Sequence, residues 1–282
     1  RSGFTAVAFE KGDGQAAAVN LWLAGNGDES DLSQVAGVHT IGVFGELLRE
    51  LRRINRGRQD PVQIIGIDLP NTLTLRPDLE PVADYLRAVD PDIADLVDGV
   101  LRTADGITGE SAVVSATHWG GLDPSRRESL TADLARLSLR LRALEPLYVA
   151  RSDQRRYDVA RRHLDAASHT DYALRSMNAF FSGTGLPDDT SIRDHFIARC
   201  VQWDLERLAT DARMVLVAHN NHIQKTLVTY EGYPTALPAG HRSGGSGSEP
   251  HEIAERQTMD IPVAEAFDAV LATPTATMAS LE

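Results

Sequence analysis

Cysteine and lysine are nearly absent from this chain. Cys200 is the single cysteine in 282 residues, which excludes an internal disulfide and any zinc site built from several thiolates. A lone thiol suits a reducing compartment, so a cytoplasmic location is the expectation. Lysine occurs only at Lys11 and Lys225, and arginine supplies the rest of the positive charge. Positive charge is also short overall, because 28 Lys and Arg face 40 Asp and Glu, a net charge of −12. That balance opposes binding to nucleic acid or to an anionic membrane surface, and neither is an expected partner. No uninterrupted apolar run approaches the ~18 residues of a membrane-spanning helix. Position 1 is Arg1 rather than methionine and a strand-like run is already under way at Phe4, so the natural N-terminus is expected to lie elsewhere.

What remains is the composition of an ordinary globular protein, long enough for one large α/β domain or a domain with an insertion. Phe4–Phe9 (FTAVAF), Val62–Ile67 (VQIIGI) and Met214–Ala218 (MVLVA) are short apolar runs, the pattern of strands buried on both faces of a parallel sheet. Gly12, Asp13 and Gly14 turn the chain, and residues 15–24 fit a helix. Residues 25–42 are polar and glycine-bearing and read as a loop holding one helical turn. Val43–Asn55 has apolar residues at 43, 44, 47, 48, 51 and 54, the spacing of an amphipathic helix. From Pro77 the texture changes, and 78–104, 126–145, 152–182 and 191–211 read as helices with no convincing strand between them. Residues 231–250 are rich in Gly, Pro and Ser and read as a flexible surface loop. Ala266–Ala272 (AFDAVLA) reads as a last strand. The expected architecture is α/β, with a mostly parallel central sheet flanked by helices. Its core comprises 1–76 and 212–282, and a large helical insertion or cap occupies 77–211.

Each apolar run stops at a hydrogen-bonding side chain. Glu10 follows the first and Asp68 the second, while His219, Asn220, Asn221 and His222 follow the third. In a parallel sheet these positions share one edge, where crevices form. A carboxylate beside an imidazole can orient it, hold one tautomer or take a proton. The competing account is that each residue caps the turn or helix after it, and it is strongest for Asp68.

Other chemistries find less support. His219 and His222 have H-x-x-H spacing, but no H-E-x-x-H pattern or cysteine ligand accompanies them, so no metal is expected. Gly12–Ala17 fits the dinucleotide fingerprint G-x-G-x-x-A, yet Glu10 and Asp13 place negative charge where a pyrophosphate would sit. The acidic residue expected about 20 positions on falls in the loop near Asp28–Asp31, so no cofactor is expected. No G-x-S-x-G elbow occurs, and Cys200 sits in a helical pattern beside Val201 and Trp203 as a small core residue. His163 and His169 read as solvated or satisfied histidines of a long arginine-rich helix, and His39 stands in the glycine-flanked loop. Arg193 precedes Asp194 in the first turn of a helix; the carboxylate suits the helix dipole, and Arg193 could reach an anionic group.

The segments VAFE (7–10), LLRELRRIN (47–55), VQIIGID (62–68), RRHLDAASHT (161–170), SIRD (191–194) and VLVAHNNHI (215–223) together resemble the erythromycin esterase family. Order and spacing agree from about Phe4 to Met278, and V-A-H-N-x-H is the most specific piece. The resemblance implies an α/β protein with a helical portion that opens an ester or lactone of a polyketide-type small molecule, as known members open macrolide lactones. It implies a water activated by general base catalysis without an acyl-enzyme, in keeping with the missing nucleophile elbow. Glu10 would match the family's glutamate at a strand end, and His219 and His222 its two late histidines, which polarise the ester carbonyl or protonate the leaving alkoxide. Asp68, Arg193 and Asn220 would support them or contact substrate. Two departures stand out. The family's G-E-x-x-H-G motif, whose histidine is the proposed base, does not occur in these 282 residues, and a strand-containing stretch is shortened to GHRSGGSGSEP (240–250). A biosynthetic enzyme catalysing cyclisation, elimination or rearrangement on the same scaffold is the first alternative, and a non-catalytic small-molecule-binding protein the second.

Overall fold

A computed structural model describes residues 4–186, 188–209, 212–230, 236–243, 251–254 and 258–259. In chain order, β1 (Phe4–Phe9), α1 (Asp13–Leu23), a 3-10 turn, α2 (Leu32–Ala36), α3 (Val38–Asn55) and β2 (Gln63–Gly66) come first. A run of helices follows: α4 (Arg76–Val89), α5 (Ala94–Asp105), α6 (Ala112–Gly121), α7 (Pro124–Ala143), α8 (Glu145–Arg151), α9 (Gln154–Phe181) and α10 (Ser191–Leu205). Then come β3 (Arg213–Val217), α11 (Asn220–Ile223), β4 (Val228–Tyr230), α12 (Ala239–Ser243), β5 (His251–Ala254) and β6 (Thr258–Met259). The chain divides into two compact units, residues 1–68 with 197–282, and residues 69–196.

The first unit is built on a parallel sheet of three strands in the order β2-β1-β3. β1 lies at the centre, and Ala6 to Phe9 are all buried. Val7 and Phe9 enter one core with Val19, Trp22 and Leu23 of α1, Leu48 and Leu51 of α3, and Ile64 of β2. Phe9 meets Phe44 edge-on at 5.0 Å between ring centroids. Among the described residues β2 has β1 as its only strand partner, and two asparagines occupy its other side. The side chain of Asn20 accepts from Ile64 N–H and donates to Ile64 C=O, both at 2.7 Å. Asn55 does the same for Val62 at 2.8 and 2.9 Å. A primary amide offers a donor and an acceptor side by side, so each asparagine satisfies one residue's exposed backbone pair and blunts the edge. A second small sheet has the order β4-β5-β6, parallel then antiparallel.

β3 does not have the burial its composition suggests. Val215 and Leu216 are 40% and 41% exposed, and β3 has β1 as its only strand partner among the described residues. An apolar run identifies a strand but does not distinguish a central strand from an edge. The stretch 25–42 is also more ordered than expected: a 3-10 turn and α2 occupy 29–36, and α3 starts at Val38, so His39 lies in a helix rather than a loop. Residues 236–243 include α12, and the rest of the expected loop at 231–250, like the expected strand Ala266–Ala272, lies outside the described residues.

Every regular element among the described residues of the second unit is a helix. The helix expected over 78–104 is split at Asp90-Pro91, where Pro91 begins a 3-10 turn and cannot continue the preceding hydrogen-bond ladder. Residues 112–121, between the helical ranges read from the sequence, form α6 behind an N-cap in which Ser111 accepts from Val114 N–H. Three buried carboxylates cross-link the helices. Asp78 of α4 bonds His163 of α9 at 2.9 Å. Asp171 of α9 accepts from Trp119 Nε1–H at 2.9 Å and Thr131 Oγ1–H at 2.6 Å, while burial pushes its carboxyl up. Asp90 accepts from Arg140 Nε–H at 2.7 Å and from the Tyr148 hydroxyl. The Arg140 guanidinium holds the Asp90 carboxyl below the usual range, and burial is the main cause raising Tyr148 to about 12.

Two stability predictions follow from this packing. A Cβ on Gly66 would lie 2.7 Å from the carbonyl carbon and oxygen of Gly12, so Gly66→Ala must push the end of β2 away from the β1–α1 turn. The expected cost is about 1–3 kcal/mol, read as a lower urea midpoint with unchanged slope. Asp90→Asn is expected to cost about 1–3 kcal/mol at pH 7 by removing a charged acceptor from buried donors. Because the folded carboxyl titrates below its unfolded value of about 4, its contribution is complete above that value and fades as the pH drops through the depressed one. The gap between wild-type and Asp90→Asn stability should therefore close on acidification below pH ~4 and stay constant between pH ~6 and ~8.

Candidate active site

The parallel register brings the ends of β1, β2 and β3 together, and the ladders run on past the strands. Ile67 N–H donates to Phe9 C=O at 3.1 Å, Asp68 N–H to Lys11 C=O at 3.0 Å, and Glu10 N–H to Val217 C=O at 3.2 Å. Glu10, Asp68 and the turn starting at His219 thus lie along one edge of the same sheet. Gly66 permits this closeness, since the backbone of Gly12 occupies the space of a side chain there.

Glu10 grips the turn after β3 at two points. Its Oε2 accepts the backbone N–H of His219 at 2.8 Å, and its Oε1 lies 3.4 Å from Nε2 of His222. The Glu10 side chain is 23% exposed and that of His222 13%, so the pair is shielded without being sealed from solvent. His219 is exposed and is the N-cap of α11. Its Nδ1 accepts from the N–H of Asn221 at 3.2 Å. The four residues of α11 then close through His222 N–H to His219 C=O at 2.9 Å and Gln224 N–H to Asn220 C=O at 3.0 Å. α11 ends at Ile223. Asn220, exposed at the first position of α11, has no side-chain partner among the described residues.

Asp68 is buried at the end of β2, as its place under the β1–α1 turn requires. Arg193 belongs to the helical unit, on the first turn of α10, next to buried Asp194. His163 and His169 each have a ring partner within that unit, Asp78 Oδ1 at 2.9 Å and Asp165 C=O at 2.7 Å. Cys200 is buried and forms no disulfide. Among the described residues no group of three or more His, Cys, Asp and Glu is arranged to hold a metal ion. Likewise, no described helix is long and apolar enough to cross a membrane.

The sequence gives no hint of what holds the far side of the turn. Gln224 is 0% exposed and donates from Nε2 to Thr226 C=O at 3.2 Å, folding the chain back after α11. α12 packs on this bend. His241 Nδ1 lies 2.6 Å from Lys225 C=O, and a Cβ on Gly240 would fall 2.1 Å from Ile223 C=O. A glycine or histidine 16 residues downstream carries no local pattern that marks such a contact. Gly240→Ala is expected to leave the helical unit intact while displacing the histidine turn, seen as altered His219 and His222 ring resonances and a stability loss of about 1–3 kcal/mol.

The geometry can now be set beside known proteins. The erythromycin esterase family profile matches residues 1–245. Erythromycin esterase type I of Escherichia coli is 35% identical over 240 residues, 85% of this chain and 59% of that protein. Erythromycin esterase type II of Escherichia coli is 30% identical over 245 residues, 85% of this chain and 58% of that protein. The chain therefore spans less than two thirds of the length of these relatives. Among solved structures, an erythromycin esterase mutant in its open conformation superposes with a TM-score of 0.78 at 31% identity, covering 89% of this chain and 61% of that one. A succinoglycan biosynthesis protein shares the fold alone, with a TM-score of 0.62 at 20% identity over 85% of this chain and 54% of that one. The family profile and the two relatives show that the chain belongs to the erythromycin esterase family.

Proposed function

We propose that this chain carries the carboxylate–histidine part of an esterase that opens an ester or lactone of a polyketide-type small molecule with an activated water. The observation that carries this is the double grip of Glu10 on His219 N–H and His222 Nε2, which places two imidazoles at a strand-end edge. Glu10 orients the turn, and the histidines polarise the ester carbonyl or assist departure of the alkoxide. Asp68 supports the site, with Asn220 available to a substrate polar group. A water rather than a side chain is the nucleophile, since no G-x-S-x-G elbow occurs and Cys200 is buried.

The test uses purified protein with a panel of macrolide lactones and simple esters, following products by mass. Wild-type protein is expected to give a product heavier by one water. Glu10→Gln and His222→Asn are each expected to lower kcat/KM by about 10²–10⁴-fold while remaining folded. Wild-type rates in both variants would remove the proposed site. A product of unchanged mass would replace hydrolysis with an isomerisation or cyclisation.

A further inference from the structure

The helical unit holds a cavity of about 570 Å³ between the second half of α4, the α8–α9 junction and the first turns of α9. That volume falls in the range of small-molecule sites, roughly 300–1,000 Å³. None of Glu10, Asp68, His219 and His222 lines it. One wall is apolar: Pro81, Ala88 and Val89 of α4 with Val159 and Ala160 of α9, and Val159 is left 39% exposed. The other wall is cationic. Arg151, Arg155 and Arg156 line it together with Asp84 and Asp153, but both carboxylates are already engaged. Asp153 is the N-cap of α9, with Oδ1 accepting from Arg156 N–H at 2.8 Å and Oδ2 lying 3.4 Å from Arg156 Nε. Asp84 pairs at 3.2 Å with Arg87, which does not line the cavity. Arg151 donates from one terminal nitrogen to Val89 C=O at 2.5 Å, which holds the guanidinium at the cavity. Arg155 has neither hydrogen bond nor ion pair among the described residues. The hydroxyls between the two walls have their protons committed. Ser152 Oγ–H donates to Tyr148 C=O at 2.8 Å, and a carbonyl only accepts, so the Tyr85 hydroxyl donates to Ser152 Oγ at 3.1 Å. Burial pushes the Tyr85 phenol up, which keeps that proton in place.

We propose that this cavity binds a small amphipathic anion, with a carboxylate or phosphate head held by Arg151 and Arg155 and an apolar body laid against the α4–α9 wall. The site is independent of ester hydrolysis at the sheet edge. A guanidinium presents paired N–H donors that fit two oxygens of a carboxylate or phosphate, and a single neutral hydroxyl cannot use both. In a chain of net charge −12, two guanidiniums without a carboxylate partner beside one cavity are a local reversal of sign. Asp153 already occupies the amino end of α9, so selectivity for an anion rests on the guanidiniums rather than on the helix dipole. Both walls are needed. An inorganic anion would leave Val159 and its neighbours against water, and a neutral apolar body would desolvate the cationic wall without pairing it.

The test titrates the full chain with hexanoate, hexyl phosphate, hexanol and inorganic phosphate, reading calorimetric heats and ¹⁵N–¹H amide shifts. Hexanoate or hexyl phosphate is expected to shift the amides of Tyr85, Ser152 and Arg155. It should bind at least about 10-fold more tightly than hexanol or inorganic phosphate, and the tighter of the two anions identifies the head group. Raising salt from about 50 to about 500 mM should weaken the anion and leave hexanol unchanged. Arg155→Gln is expected to lower affinity for the anion about 10-fold without affecting hexanol. Ala88→Phe, at an exposed helix position, puts a ring into the cavity and should weaken anion and hexanol alike at a wild-type Tm. Equal affinity for hexanoate, hexyl phosphate and hexanol overturns the charged head. Inorganic phosphate binding as tightly as hexyl phosphate overturns the apolar body. Anion affinity unchanged in both variants overturns the site, as does the absence of amide shifts with every probe up to about 10 mM. Ester hydrolysis is expected to be the same in both variants as in wild type, so the two proposals fail separately.

Discussion

Glu10 stands one residue past the central strand, and both its oxygens face the turn that follows β3. Its backbone is held by the sheet through the bond from its N–H to Val217 C=O at 3.2 Å. The carboxylate therefore extends from a rigid base, and its two oxygens reach points three residues apart on a four-residue helix. Two contacts set the direction of the turn as well as its distance. A single contact would leave α11 free to rotate about it, and a helix of four residues has little stability of its own to resist. Hydrogen bonds to a charged acceptor contribute about 1.5–3 kcal/mol, enough to hold a turn that propensity alone would not. The cap by His219 and the packing of α12 against Ile223 and Gln224 complete the hold from the other side.

The parts of this arrangement that could be read from the sequence are those with a short-range signature. FTAVAF and VQIIGI are strands because continuous apolar runs bounded by polar residues have few other outcomes. The strand ends then locate Glu10, Asp68 and His219 without any knowledge of their contacts. What could not be read depends on partners distant in sequence. Val215 and Leu216 look like core residues, yet both are exposed, and no local pattern tells a covered strand from an uncovered one. Asn20 and Asn55 look like ordinary helix-surface amides, yet they close the edge of β2. His219 is an uncommon N-cap, since Ser, Thr, Asp and Asn are preferred there. Capping and chemistry, which the sequence poses as competing accounts, do not exclude one another, since the nitrogen that caps Asn221 N–H is one of two in the ring.

The helical unit shows how an acidic chain accommodates its carboxylates when they are buried. Asp78, Asp90 and Asp171 are each less than 5% exposed, and each accepts from donors on other helices. Asp78 joins α4 to α9, Asp171 joins α9 to α6 and α7, and the residue ending α4, Asp90, is bonded by α7 and α8. Leucine contacts between helices tolerate sliding by a turn, because one apolar ridge resembles the next. A buried carboxylate does not tolerate it, since losing its donors costs more than an equivalent apolar mismatch. These three residues therefore set the register of helices whose apolar surfaces alone would leave it loose.

The parallel sheet explains why the site has the residues it has. In an antiparallel pair, residues that follow two adjacent strands lie at opposite ends of the sheet. In a parallel one they lie side by side, and the interval between strands is about 4.8 Å. A glutamate side chain one residue beyond β1 spans that interval easily, and a glutamate in place of any residue from Ala6 to Phe9 would be buried instead. The central strand reaches both neighbours, so only its end can meet the β3 turn and also lie beside the end of β2 with Asp68. Topology thus leaves one position from which a single carboxylate can organise the edge, and Glu10 occupies it.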